Sequence, residues 1–416
     1  MLIRFSLYGF LKNQRYFEPF IILFFLSRGL SFTQIGLLVG FRELAINLME
    51  IPSGAVADLF GRRRSMMLSF TAYIAAFAVF GSVSHFGLFF LAMFFFAVGE
   101  AFRTGTHKAM IFTWLRLQGR GDEKTKVYGY TRSWAKIGSA VSVILATIFV
   151  IWTSNYSYIF YFAIVPYLGG LVNFMFYPKE LEGQPAAAVD IRTVLRHLWV
   201  CLKDAVCVSN LRRLIAESMG FEGVYKAVEN YLQPVVKGLA LSLPLFVAMS
   251  DTRRSALLVG AVYFVIYLAS AWASRQSYRL VNWAGGDQEG SRRLWLGVFV
   301  IYAAMIPLLY FHQYWPAIIG FVVLSLIQNF WGPLIVTRFD AFATETQGAT
   351  VLSIRSQATS IATMIVAPAL GVLVDYVKGH AIGGEFWPVA AVAAAVALAV
   401  VLLPVWQNGI RIISKS

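Results

Sequence analysis

The sequence predicts an all-α protein that crosses a membrane twelve times, and three observations lead there. Its 416 residues are 58% hydrophobic and only 13% charged, with a mean hydropathy of +0.67, whereas a soluble domain is about half apolar and about a quarter charged. Weakly charged apolar runs recur from end to end at the length a spanning helix needs, about 20 residues at roughly 1.5 Å each. The charges between them fall in short clusters, the pattern of topology signals. The net charge of +14 therefore marks loops at a lipid bilayer, with no nucleic-acid partner implied.

In chain order, six segments run over residues 5–29, 33–56, 65–84, 87–112, 128–151 and 157–177. Six more run over residues 211–238, 254–278, 293–311, 315–338, 351–376 and 386–406. The organisation is a six-helix bundle over 1–177, a linker over 178–210 and a second six-helix bundle over 211–416. With both termini in the cytoplasm, lysines and arginines favour the inner side by about four to one, which sets the orientation under the positive-inside rule. Arg28, Lys237, Arg253, Arg254 and Lys378 fall outside, and Arg253 with Arg254 is the one local contradiction. The expected location is the cell membrane.

The linker opens on Gly183, Gln184 and Pro185, then repeats apolar residues at helical spacing from Ile191 to Val206. That pattern fits an amphipathic helix in the inner interface or a docked linker helix equally. Cys201 and Cys207 imply no disulfide framework. Met1–Phe10 lacks the features of a removable signal peptide, so the first helix is expected to direct insertion.

The halves read as related. Gly9-Phe10 is followed by Arg15 and Glu18, and Gly220-Phe221 by Lys226 and Glu229 at the same spacing. Arg132-Ser133 near the start of the fifth segment is matched by Arg355-Ser356 near the start of the eleventh.

The junction between the second and third segments has its own pattern. Gly36, Gly40, Glu43, Asn47, Glu50 and Gly54 recur every three or four residues and share a helix face. Glycines allow close backbone approach, and carboxylates within lipid need partners, so that face looks into protein. The spacing Gly54, Asp58, Gly61, Arg62, Arg63 resembles the signature loop of the major facilitator superfamily. The match to that family extends over essentially the whole chain as architecture. Ala367-Pro368…Gly371…Asp375 and Gly99…Arg103…Gly105 are looser resemblances, and the fifth segment lacks the glycine-proline run of drug–proton antiporters.

The resemblance implies two six-helix halves related by an axis along the membrane normal, with helices 1, 4, 7 and 10 lining a central cavity. It implies a conformational role for Gly54, Asp58, Gly61, Arg62 and Arg63, closing the cytoplasmic side without touching solute.

Each ionisable group within a span costs about 2.5–3.5 kcal/mol on insertion scales and needs a reason to be there. The candidates for solute binding or proton coupling are Arg15 and Glu18 on helix 1, Glu100 and Arg103 on helix 4, Glu222, Lys226 and Glu229 on helix 7, and Gln328 and Asn329 on helix 10. The pairs Arg15/Glu18, Glu100/Arg103 and Lys226/Glu229, each three apart, equally suit structural ion pairs. Glu18 and Glu229 occupy matching positions and are favoured for function. Glu43, Arg132 and Arg355 are candidates for gating or helix pairing, with Glu43 facing Arg42 or Arg355. The five histidines are scattered and no enzyme, metal or phosphate motif occurs, so no cofactor is expected.

The reading is a secondary transporter that moves a small, charged or zwitterionic organic solute by alternating access, with H+ as the coupling ion. Xenobiotic efflux is the alternative within transport. A non-transporting receptor or lipid-handling protein is the alternative outside it.

Overall fold

The computed structural model describes residues 1–104, 106–120, 123–182, 209–283, 287–340 and 348–402. Within these, the side chains of residues 51–52, 54–60, 124–125, 209–211, 274–283, 287–289, 333–334, 336–337, 340 and 348–354 lie outside the description. The linker helix expected between 183 and 208 falls wholly outside the described residues.

The described chain is helical. The first stretch comprises α1 (Leu2–Lys12), α2 (Ile21–Ser27), α3 (Phe32–Phe60), α4 (Arg62–Ser82), α5 (Phe86–Arg103), α6 (Thr106–Leu117), α7 (Lys124–Thr153) and α8 (Tyr158–Met175). After a 3-10 turn at Lys179–Glu182 come α9 (Ser209–Ser218), a π-helical segment (Met219–Val224), α10 (Tyr225–Glu229) and α11 (Leu232–Ser242). Long helices α12 (Asp251–Trp283), α13 (Asp287–Tyr310), α14 (Tyr314–Asp340) and α15 (Gly348–His380) precede α16 (Trp387–Leu402). Eight helices among the described residues are long and apolar enough to cross a membrane.

The first predicted segment is not one helix. It breaks between α1 and α2, and residues 13–20 are non-helical, with turns at 13 and 16–20. Pro19 has no N–H to give and disfavours helical geometry at Glu18. The seventh segment is likewise interrupted, by the π-helical segment and a turn at Asn230–Tyr231.

By contact the chain divides into two units, Met1–Ile191 with Gln233–Leu268, and Arg192–Leu232 with Ala269–Ser416. The first unit is cored by aromatic rings from four helices. Phe160 of α8 lies 4.7 Å from Phe24 of α2 and 5.0 Å from Phe80 of α4, and Phe24 lies 5.7 Å from Phe89 of α5. Such pairs add about 0.5–1.5 kcal/mol each beyond the area they bury. In the second unit α16 packs on α13 and buries Ala390, Ala393, Ala394 and Ala397, a run of small residues that lets helices approach.

Two glycines set the separation of α1 and α7. A Cβ on Gly9 would meet the Thr131 carbonyl oxygen at 2.9 Å, and one on Gly138 would meet that of Phe10 at 2.6 Å.

Arg253 and Arg254, the exceptions to the charge asymmetry, have a structural role. Arg253 Nε donates to the Ile151 carbonyl at 2.9 Å, in the last turn of α7. Arg254 Nη2 donates to the carbonyls of Ala240 and Leu243 at 3.0 and 2.6 Å, at the end of α11. Helix C-termini present unpaired carbonyls and partial negative charge, which cations satisfy.

Candidate functional site

The break in the first segment builds the site. Asn13 Nδ2 donates to the Gly9 carbonyl at 2.6 Å, and the buried Gln14 donates to the Gly138 carbonyl at 3.1 Å. These side chains satisfy carbonyls near the interruption and pin it against α7. Arg15 thereby reaches across to α5, where its Nη2 lies 2.6 Å from Glu100 Oε1. The other oxygen of Glu100 accepts from Arg103, one turn further along α5. Arg103 Nε also donates to the Tyr73 hydroxyl at 3.3 Å.

Glu18 is held more loosely. Its Oε1 is 3.7 Å from Arg15 Nη1, and its Oε2 accepts from the Tyr267 hydroxyl at 3.1 Å. The side chain is 44% exposed, against 15% for Glu100. Gln233 joins the same region, donating to the Glu18 carbonyl at 2.9 Å and accepting from Ile22 N at 2.8 Å. Two carboxylates and two guanidiniums thus converge from the first and fourth predicted segments. Glu100 is locked between two cations, and Glu18 keeps an accessible face.

Beside the cluster lies a cavity of about 390 Å³ within the first unit, lined by α1, the α5–α6 junction and α7. Tyr8, Lys12, Arg103, Lys108, Arg132 and Lys136 are on its wall. His107 is buried in the same wall, stacked on Tyr8 at 3.7 Å and within 3.4 Å of the Tyr177 hydroxyl.

The second unit carries its own charged clusters. Arg355 of α15 pairs with Glu222 of the π-helical segment. Glu217, 1% exposed, sits between Arg213 at 2.9 Å and Arg338 at 2.6 Å, and accepts from Ser291 at 3.0 Å. The π-helical segment frees carbonyls from the regular ladder, and side chains take them up. Gln328 donates to Phe221, and Thr363 donates to Gly223 at 2.8 Å. Asn329 Nδ2 donates to Ser270 Oγ at 3.0 Å. Lys226 lies on α10 and Glu229 is its last residue, beside the interruption, as Arg15 and Glu18 lie in that of the first segment. The close approach is made by Gly223, whose added Cβ would meet Ala362 Cβ at 2.6 Å, while Gly220, the partner of Gly9 in sequence, faces Trp295.

At the signature loop, Gly61 adopts φ +92° between α3 and α4, a conformation that favours glycine. Arg62 donates to Thr113 Oγ1 at 2.9 Å, and Arg63 to the Tyr177 carbonyl at 3.1 Å with Glu182 3.9 Å away. Gly54 and Asp58 belong to α3, and the Asp58 side chain lies outside the described residues. Glu43, 1% exposed, pairs with Arg42 at 2.9 Å.

Sequence reasoning passed over Lys12, Lys136 and Glu217. Lys136 stands four residues after Arg132, a residue already noticed, and Glu217 stands four after Arg213, so each shares a helix face with a cation. That spacing was the available signal.

These features define a class: a multi-pass helical membrane protein with charged residues converging inside its helices. Residues 13–286 match the Major Facilitator Superfamily, and the chain belongs to that family of secondary transporters. It is 32% identical over 99 residues to the "Uncharacterized MFS-type transporter YxaM" of Bacillus subtilis (strain 168), a match spanning 24% of each chain. Among solved structures it is similar to the nucleoside transporter NupG, with a TM-score of 0.76 at 11% identity over 96% of this chain and 98% of that one. It is also similar to a D-xylose-proton symporter, with a TM-score of 0.67 at 12% identity over 96% of each chain. At these identities the likeness is one of fold.

Proposed function

We propose that the protein moves a small charged organic solute across the cell membrane by alternating access, coupled to protons, with both termini in the cytoplasm. The observation that carries this is the convergence of Arg15, Glu18, Glu100 and Arg103 at the break in the first segment, beside a cavity of about 390 Å³. Buried charge within a span is retained where it serves a solute or ion path, and helices interrupted near mid-membrane are where transporters build such sites. Glu18 is the group to exchange the proton. Protonating it surrenders one long ion pair, whereas protonating Glu100 forfeits two close ones. Glu229 is its counterpart in the second half.

In this reading the α3–α4 junction, from Gly54 at the end of α3 to Arg63 at the start of α4, is a gate on the cytoplasmic side. The D-xylose-proton symporter among the structural relatives is in keeping with proton coupling on this fold. The test is counterflow in proteoliposomes against a panel of charged, zwitterionic and neutral solutes. Exchange of a charged or zwitterionic solute is expected; binding without exchange would assign the chain to a receptor instead.

A further inference from the structure

The cavity in the first unit has a one-sided charge. Its wall carries Lys12, Arg103, Lys108, Arg132 and Lys136 and no aspartate or glutamate. Glu100, the carboxylate paired with the wall's Arg103, is already shared with Arg15. Lys108 lies over the rings of Phe112 and Tyr128. The side chains of Lys12, Arg132 and Lys136 form no hydrogen bond or ion pair with another described residue.

Topology marking accounts for cations at the start of α7 and less well for the deeper ones. Lys136 is twelve residues along α7 from Lys124, about 18 Å at 1.5 Å per residue. Arg132 and Lys136 stand four apart on one face, a like-charge spacing that weakens a helix. Tyr128, Thr131, Ala135 and Ser139 continue that face along the same wall. A concave, low-dielectric wall of one sign focuses its field and concentrates ions of the other. The volume is that of a small-molecule site, and Phe5 and Tyr128 offer apolar ring surface beside the cations.

We propose that this cavity binds an organic anion, with its carboxylate or phosphate group held by Lys12, Arg132 and Lys136. The proposal rests on the transport reading and narrows its solute class. The full-length protein in nanodiscs is tested by thermal shift with benzoate, phenyl phosphate, benzyl alcohol and benzylamine. Benzoate or phenyl phosphate is expected to raise the unfolding midpoint, and the stronger of the two tells carboxylate from phosphate. Arg132→Gln and Lys136→Gln should each weaken that anion at least tenfold. Without ligand, both variants should melt no lower than the parent, because each relieves repulsion.

The proposal is overturned if neither anion binds, if benzylamine binds as well, or if both variants keep the parent affinity. Counterflow separates the two readings. An anion that binds without exchanging removes transport and leaves the anion site. A neutral or cationic solute that exchanges, with both anions inert, removes the anion site and leaves transport.

Discussion

Glu100 of α5 is gripped by two guanidiniums, 2.6 Å from Arg15 across the helix packing and paired with Arg103 one turn along its own helix. Removing one partner from a buried ionic group leaves charge without compensation, which destabilises by about 3–5 kcal/mol. Glu100→Gln is expected to lower stability by that amount in thermal unfolding. The double variant Arg15→Gln/Glu100→Gln should fall short of the sum of the single changes, since the residues are directly coupled. Additive losses would contradict the pairing.

The α1–α7 contact gives a prediction with an internal control. Gly138→Ala puts a Cβ 2.6 Å from the Phe10 carbonyl oxygen, so backbone must move, at about 1–3 kcal/mol. Gly129 on the same helix has open space around it, and Gly129→Ala should stabilise by roughly 0.5–1 kcal/mol. Unfolding midpoints that shift in opposite directions bear this out; equal shifts refute the close approach.

Arg254 closes the end of α11 by bonding its carbonyls, with a side chain only 12% exposed. Arg254→Ala should therefore remove about 1.5–3 kcal/mol, the usual worth of hydrogen bonds made by a charged group. Arg254→Lys should recover part of that, because it keeps the charge and loses the fork. Stability unchanged in both would return this arginine to unexplained status.

The gate proposed at the α3–α4 junction, with Asp58 in the last turn of α3, predicts that Asp58→Asn favours inward-facing states. Single cysteines introduced on either side of the first unit should show greater cytoplasmic labelling in the variant. Identical labelling before and after the change would count against a conformational role.

Much of this architecture was legible in the sequence, because runs of about 20 apolar residues have few alternatives to crossing a bilayer. The break at residues 13–20 was harder to see. Tyr16, Phe17 and Phe20 keep that stretch apolar, and the signal lay in Asn13 and Pro19 alone. The spacing of Arg15 and Glu18 suggested a pair on one helix. The closer partner of Arg15 is Glu100, 85 positions away, a distance no local pattern encodes. Lys136 was hidden because a single lysine within an apolar run gives no sign of facing a cavity until packing sets it beside Arg132 on the wall. Arg253 and Arg254 ran against the charge rule for a reason only tertiary structure supplies: the carbonyls they meet belong to other helices.

The central claim is proton-coupled transport through the charged site at the first break. Its most direct test is solute accumulation driven by an imposed pH gradient, in proteoliposomes holding the parent protein beside Glu18→Gln. The account predicts gradient-driven accumulation in the parent and, in the variant, its loss with counterflow exchange retained. Equal gradient-driven accumulation in both would contradict it.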